Sequence, residues 1–272
     1  MKKLINIVTI AFFIILSNFT TAQPKIILKS ISDSKGGKYK LNNGKLLSEY
    51  SGADGTTTYV YNKNGLLQQI SNRIFFTYNQ DGTIATKKII NPSNPNDVNQ
   101  QLYNFTYSTN NINEKKYQLI NTSVITEENN YTIQNGFIIK KLDIQGKKSD
   151  TYTYDNIGNV IFWRNENITA NGTVLFHEAT YTYDAAPSIQ RLMDTSFYGS
   201  QVQLSTILLG GTDSHPSVNN RLSAVDVSNY NFKKVAKTRT INFTYTYAKN
   251  GYPASTSKAN GAGKILIKYY TY

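Results

Sequence analysis

The sequence predicts an all-β protein, a long antiparallel meander of short hairpins forming a curved open sheet or a partly closed barrel. Three observations carry this. Gly preceded by Asn or Asp recurs at the spacing of a strand plus a tight turn. Aromatic residues alternate with Thr, Asn and Ser between those turns. No helical periodicity is found after residue 23.

Before the meander, residues 1–22 read as a secretory signal peptide. Lys2 and Lys3 precede an apolar run from Leu4 to Leu16, and Thr20 and Ala22 supply the small residues before cleavage at Gln23. The run is shorter than the roughly 20 residues a spanning helix needs. No cysteine follows it to take a lipid. The remainder, residues 23–272, is expected to be one β-repeat domain, exported to the periplasm, the cell surface or the medium.

Turns and strands then follow in order. Asn43-Gly44, Asp54-Gly55 and Asn64-Gly65 are 11 and 10 residues apart at their glycines. Tyr59 and Tyr61 share a strand face between the last two. Ile74, Phe76 and Tyr78 form the next such face, closed by Asp81-Gly82. A polar loop with two prolines, Asn91 to Asn96, leads to Tyr103, Phe105 and Tyr107. Asn135-Gly136, Gln145-Gly146, Ile157-Gly158 and Asn171-Gly172 divide the middle of the chain, with Tyr152 and Tyr154, then Tyr181 and Tyr183, on the strands. Between Pro187 and Leu209 the aromatic pattern lapses, and a polar loop covers 210–220. Ile241, Phe243, Tyr245 and Tyr247 give the longest alternation. Asn250-Gly251 and Asn260-Gly261 precede the final Tyr270 and Tyr272. Asn and Asp tolerate turn geometry and Gly takes positive φ without steric cost. Period-two aromatics mean a sheet buried on one face.

One motif recurs within this pattern. Tyr59-Val60-Tyr61-Asn62-Lys63-Asn64-Gly65-Leu66-Leu67, Phe76-Thr77-Tyr78-Asn79-Gln80-Asp81-Gly82-Thr83-Ile84 and Tyr152-Thr153-Tyr154-Asp155-Asn156-Ile157-Gly158-Asn159-Val160 share the form aromatic-x-Tyr-Asn/Asp-x-x-Gly-x-apolar, relaxed at the last two positions. Tyr181-Thr182-Tyr183-Asp184 and Tyr245-Thr246-Tyr247 begin partial copies. The motif resembles the YD repeat of RHS-type proteins. The chain is also similar to a family of small exported Bacteroidota domains of unknown function, described as having a porin-like fold. The resemblance implies β-hairpin repeats and an envelope setting, and it implies no catalytic residue. RHS shells enclose toxins; this chain has neither their length nor a toxin domain, so that role is not carried over.

Composition narrows the chemistry. Absence of cysteine excludes a disulfide scaffold, a thiol nucleophile and thiolate metal sites. The two histidines, His177 in a strand and His215 in a loop, lack a nucleophile elbow around any Ser. Asp213 and His215 have ligand spacing without a third ligand, so no metal and no cofactor is expected. Glycoside hydrolysis needs paired carboxylates. The six Glu, at 49, 114, 127, 128, 166 and 178, are the candidates a hydrolase would draw on, and no pocket signal groups them. No catalytic residue is assigned, and the chain is read as not an enzyme.

The charge is strongly basic, with 29 Lys and Arg against 17 Asp and Glu, a formal +12. Lysine doublets at 87–88, 115–116, 140–141, 147–148 and 233–234 read as solvated, edge-protecting residues. Attraction to anionic envelope polymers is the functional alternative. Nucleic acid is not expected. Trp163 beside Arg164 is the place to look for sugar stacking, and Val160-Ile161-Phe162-Trp163 reads more simply as a covered strand.

The leading expectation is a non-enzymatic structural or binding module of the cell envelope, whose partner is an envelope glycan or another envelope protein. An outer-membrane β-barrel is the alternative, favoured by the meander and the aromatic last residue. It is disfavoured by Tyr hydroxyls along the whole aromatic face. A secreted hydrolase is the third reading.

Overall fold

A computed structural model describes residues 30–33, 38–42, 46–52, 55–145, 147–198, 202–209, 217–228, 237–260 and 265–271. The expected signal peptide lies outside these residues. So do Asp213, His215, Lys233, Lys234, Tyr272 and the glycines at 44, 146 and 261.

The described residues form 18 strands and two short helices. The strands are β1 (Ser30–Asp33), β2 (Lys38–Asn42), β3 (Leu46–Gly52), β4 (Gly55–Tyr61), β5 (Leu67–Ile70) and β6 (Ile74–Tyr78). Next come β7 (Ile84–Ile89), β8 (Gln101–Ser108), β9 (Asn111–Gln118), β10 (Asn121–Gln134), β11 (Phe137–Asp143) and β12 (Lys148–Tyr154). The last six are β13 (Val160–Thr169), β14 (Gly172–Pro187), β15 (Asn219–Ser228), β16 (Lys237–Tyr247), β17 (Pro253–Asn260) and β18 (Ile265–Thr271). Helices α1 (Ile189–Tyr198) and α2 (Val202–Leu209) lie between β14 and β15.

Each strand pairs antiparallel with the next, which is the expected meander. Its two ends meet: β1 pairs with β2 and also with β18, from Ser30 opposite Thr271 to Asp33 opposite Lys268. Cyclic pairing leaves no unpaired sheet edge among these strands.

Alternation sorts the side chains into two faces. Phe76, Phe105, Tyr131, Trp163, Ala179, Tyr181, Ala224 and Ile241 are buried on the inner face. Thr58, Thr77, Thr106, Thr153, Thr182, Thr244 and Thr246 are exposed on the outer one. The aromatic and polar faces predicted from sequence are therefore the inside and the outside of the ring.

The recurring motif has a local physical cause. In the turn after β12, Asp155 Oδ1 accepts the backbone N–H groups of Ile157, Gly158 and Asn159 at 3.1, 2.9 and 2.8 Å. Gly158 takes φ +102°, which side chains disfavour. Asn62 does the same work after β4, accepting from Asn64 and Leu66 at 3.0 Å each. The strand register shifts between Thr153 and Tyr154, and likewise between Thr77 and Tyr78 and between Thr182 and Tyr183. At such a bulge a backbone carbonyl falls out of the ladder. Leu67, Ile138 and Val160 sit at such bulges, opposite Tyr61, Ile133 and Tyr154, and a Tyr hydroxyl of the following strand turns inward to each carbonyl: Tyr78 to Leu67 at 2.5 Å, Tyr154 to Ile138 at 2.8 Å and Tyr183 to Val160 at 2.6 Å. Tyr107 and Tyr245 make the same bond to Ile84 and Arg221, each at 2.9 Å. An aromatic face can thus be buried without leaving its hydroxyls unpaired.

The helices correct the expectation of none. Leu204, Ile207 and Leu208 of α2 join Ile84, Phe105, Ile112, Tyr131 and Ile138 in one core cluster. Phe197 of α1 stacks on Tyr59 of β4, with ring centroids 5.5 Å apart. Both helices therefore fill the inner side of the ring. Helix α2 escaped notice because an amphipathic period requires one wet face. In α2, Val202, Ser205, Thr206, Ile207 and Leu208 are all buried, so no such period exists. Ser188 caps α1, its Oγ accepting from the Arg191 N–H at 3.3 Å.

Candidate functional site

The motif turns and helices occupy one end of the inner wall. Towards the other end, the inner face becomes charged, and it is the register that places each group. Lys87 of β7 faces Tyr103 of β8, and Tyr103 faces Lys116 of β9. Lys116 in turn faces Glu127 of β10. One position nearer the core, Phe105 faces Glu114, and Glu114 faces Asn129. The next inner row runs Tyr131, Lys141, Asp150, Asn165 and His177 across β10 to β14. Asp226 and Arg239 stand opposite each other on β15 and β16, and Lys258 of β17 faces Phe243 beyond them.

Hydrogen bonding divides these groups unequally. Glu114 is 5% exposed; Oε1 accepts from Asn129 Nδ2 at 3.1 Å and Oε2 from the Tyr131 hydroxyl at 2.7 Å. Glu127 accepts from the same Asn129 amide at 3.0 Å and pairs with Lys116 at 3.3 Å. Burial alone would raise the Glu127 carboxyl. Its bonds from Asn129 and Lys116 outweigh burial and hold it below the usual carboxylate range. Asp150 Oδ1 takes both the Trp163 indole N–H at 3.0 Å and Asn165 Nδ2 at 2.8 Å. Asp226 meets Arg239 at 3.4 Å and His177 Nε2 at 4.0 Å.

The lysines differ. Lys87 Nζ lies 5.0 Å from the centroid of the Tyr103 ring, and Lys116 Nζ lies 5.6 Å from it. Lys141 Nζ stands over Tyr131 at 5.8 Å and Lys258 Nζ over Phe243 at 5.7 Å. Burial depresses the Lys87 ammonium below the ordinary lysine range; Glu114 pulls it back up and Lys116 pushes it further down. Tyr103 and Glu127 raise Lys116 above that range against a contrary effect of burial.

Three of the lysine doublets read from sequence as solvated are split by the sheet, whereas Lys147 and Lys148 are both exposed, as expected. Lys87, Lys116 and Lys141 point inward, while Lys88 and Lys140 are exposed outside and Lys115 meets Glu128 at 3.9 Å there. The available signal was the doublet itself, since neighbours on a strand must take opposite faces.

Other candidates are scattered. Glu114 and Glu127 come together through Asn129; Glu178 is outside, bound by Arg164 at 2.9 and 3.1 Å. Glu128 and Glu166 are also on the outer face by register, and Glu49 accepts from Ser51 at 3.3 Å. Trp163 is 4% exposed on the inner face and packs its ring against His177 at 4.9 Å, so it presents no stacking surface to a sugar. Among the described residues, no three His, Asp or Glu side chains gather as metal ligands.

Comparison with known protein families and with curated proteins gives no match. Among solved structures, the chain is similar to a porin-like protein from Bacteroides vulgatus, at 13% identity and a TM-score of 0.45, over 91% of this chain and 99% of that one. It is similar also to a porin-like protein from Bacteroides uniformis, at 17% identity and a TM-score of 0.41, over 90% and 96%. A further likeness, at 14% identity and a TM-score of 0.30, is to a chain of the TcdB2-TccC3-Cdc42 structure, of which it covers 15%.

Proposed function

We propose that the chain is an exported, water-facing binding or structural module of the cell envelope that performs no catalysis. The observation that carries this reading is the outer hydroxyl ladder. Thr77 bonds Thr86, Thr182 bonds Ser223 and Thr246 bonds Ser255, each pair exposed and each at 2.7 Å between hydroxyl oxygens. A lipid-facing strand carries Leu, Val and Ile in those positions. Here the apolar face is turned inward and packed with helices, which supports an aqueous setting over a membrane-spanning one.

The inner carboxylates support a non-catalytic role. Both oxygens of Glu114 accept from neutral donors in a buried position, which holds the carboxyl in place and away from solvent. His177 packs against Trp163, and no hydroxyl is bonded to its ring among the described residues.

The test is expression of residues 23–272 in buffer without detergent, followed by size-exclusion chromatography and far-ultraviolet circular dichroism. A monodisperse β-rich species is expected. A chain that stays aggregated until refolded into detergent, and then migrates with heat-dependent mobility, would replace this reading with the outer-membrane barrel.

A further inference from the structure

Lys87 carries a charge on the inner wall that no carboxylate answers at ion-pair distance among the described residues. Its neighbours explain why. Glu114, the carboxylate whose field reaches it, is committed at both oxygens to Asn129 and Tyr131. Lys116 is on the far side of Tyr103 and shares the ring with it. A half-buried ammonium set on a phenol beside a second ammonium is an arrangement a folded protein does not need for stability. A neutral or apolar residue opposite Phe76 would pack there without the desolvation cost of a charge. The row is wet as well: the Lys116 side chain keeps 22% of its surface exposed and Glu127 keeps 36%. Lys141, one strand beyond, adds a third inward cation whose field reaches Glu127.

We propose that Lys87 and Lys116, flanking Tyr103 on the inner wall, form a binding site for a multiply charged oxyanion group. The inference rests on the water-facing reading above, because solute must reach the wall. The two ammonium groups supply up to six N–H donors, and charge-assisted bonds to oxyanions are the strong class of hydrogen bond. In the free protein Glu127 occupies Lys116; the incoming anion displaces it. The formal +12 of the chain raises the local concentration of such ligands. Two sources present this chemistry: a phosphate group, and the carboxylate row of an acidic glycan.

The experiment is calorimetric titration of the full exported chain with pyrophosphate and, separately, with a tetramer of galacturonic acid, at fixed ionic strength. Saturable binding of either supports the site, and the tighter of the two identifies the source. Lys87→Gln is expected to weaken binding at least tenfold. Glu127→Gln removes the internal competitor and is expected to tighten it about threefold. Lys88→Gln, on the exposed outer face, makes the same change in net charge as Lys87→Gln and is expected to leave binding within about twofold, whereas a general basic attraction would weaken both variants equally and overturn the site. Side-chain NMR of Lys87 gives a second readout, since a bound anion must raise the pH at which its ammonium titrates. A soluble, folded chain that binds neither probe above a chloride control overturns the proposal and leaves the module reading intact, as does equal binding by wild type and Lys87→Gln. A chain that needs detergent to fold overturns the module reading, and with it the access on which this site rests.

Discussion

The Tyr154 hydroxyl donates to the Ile138 carbonyl at 2.8 Å, one strand back from its own. Ile138 lies at the bulge between β10 and β11, where Thr132 pairs with Lys140 but Ile133 pairs with Ile138, and the bond satisfies its carbonyl there. Tyr154→Phe keeps the ring against Phe137, whose centroid is 4.8 Å away, and removes only the donor. The cost expected for the orphaned carbonyl is about 1–3 kcal/mol. Urea denaturation checks it, with Thr153→Val on the wet outer face as the comparison. A midpoint no lower than that of the comparison would mean that water, not Tyr154, satisfies this carbonyl.

Gly158 and Gly65 occupy equivalent turns and should respond differently to a methyl group. Both have positive φ, +102° and +77°. A Cβ at Gly65 meets nothing within 4 Å, whereas at Gly158 it meets the Phe137 ring at 3.1 Å. Backbone strain alone costs about 1–3 kcal/mol. Gly65→Ala should show that cost only, and Gly158→Ala should exceed it because Phe137 is itself packed on Tyr154. Thermal melts of the two variants side by side decide this; equal losses would mean that Phe137 moves aside freely.

Stability should carry a pH dependence from the helix inside the ring. Asp194 of α1 is buried, and burial pushes its carboxyl up to about 6, against the lowering effects of the Gln190 bond and of Arg191. The unfolded chain releases this proton near its ordinary value of about 4. Between those limits the folded state holds more protons than the unfolded one, so stability falls as pH rises from about 4 to about 6 and is level above. Asp194→Asn keeps an oxygen for Gln190 Nε2, which bonds it at 2.8 Å, and removes the ionisation. The variant should be more stable than wild type at pH 7 and equal to it at pH 4. Glu127 and Asp155 titrate in the opposite sense, their carboxyls being held low, so the difference between the two proteins is the quantity to measure. A difference that stays constant across pH 4–7 would remove Asp194 as its source.

The strands were legible because their cause is local. Asn79, Asp81 and Gly82 sit within four residues, and the turn closes on its own bonds, Gly82 N–H to the Asn79 carbonyl and Thr83 N–H to Asp81 Oδ1. Closure of the ring was not legible, since β1 and β18 meet only after every intervening twist has accumulated. Helix α2 was hidden by its own burial: it reads Val-Gln-Leu-Ser-Thr-Ile-Leu-Leu, and its Ser205 and Thr206 are as covered as its Ile207. The candidate site was half visible. Lys87 and Lys116 stand out as members of doublets, but that both flank Tyr103 depends on the β7–β8–β9 register, which residues 90–100 set from a distance.

Asp150 is the acceptor on which the single tryptophan depends. Its Oδ1 receives the Trp163 indole N–H at 3.0 Å and Asn165 Nδ2 at 2.8 Å, and all three residues are buried. Asp150→Ala leaves two buried donors without an acceptor, at about 1–3 kcal/mol each. Asp150→Asn keeps one oxygen and should fall between wild type and Ala. Trp163 reports directly, since no other indole contributes emission. It is 4% exposed, so acrylamide should quench wild type weakly. In Asp150→Ala the quenching constant should rise and the denaturation midpoint should fall together, because the indole loses the partner that holds its ring against His177. A lower midpoint with unchanged quenching would instead place the loss at Asn165, whose bond to Asp150 links β12 to β13 on the same inner row.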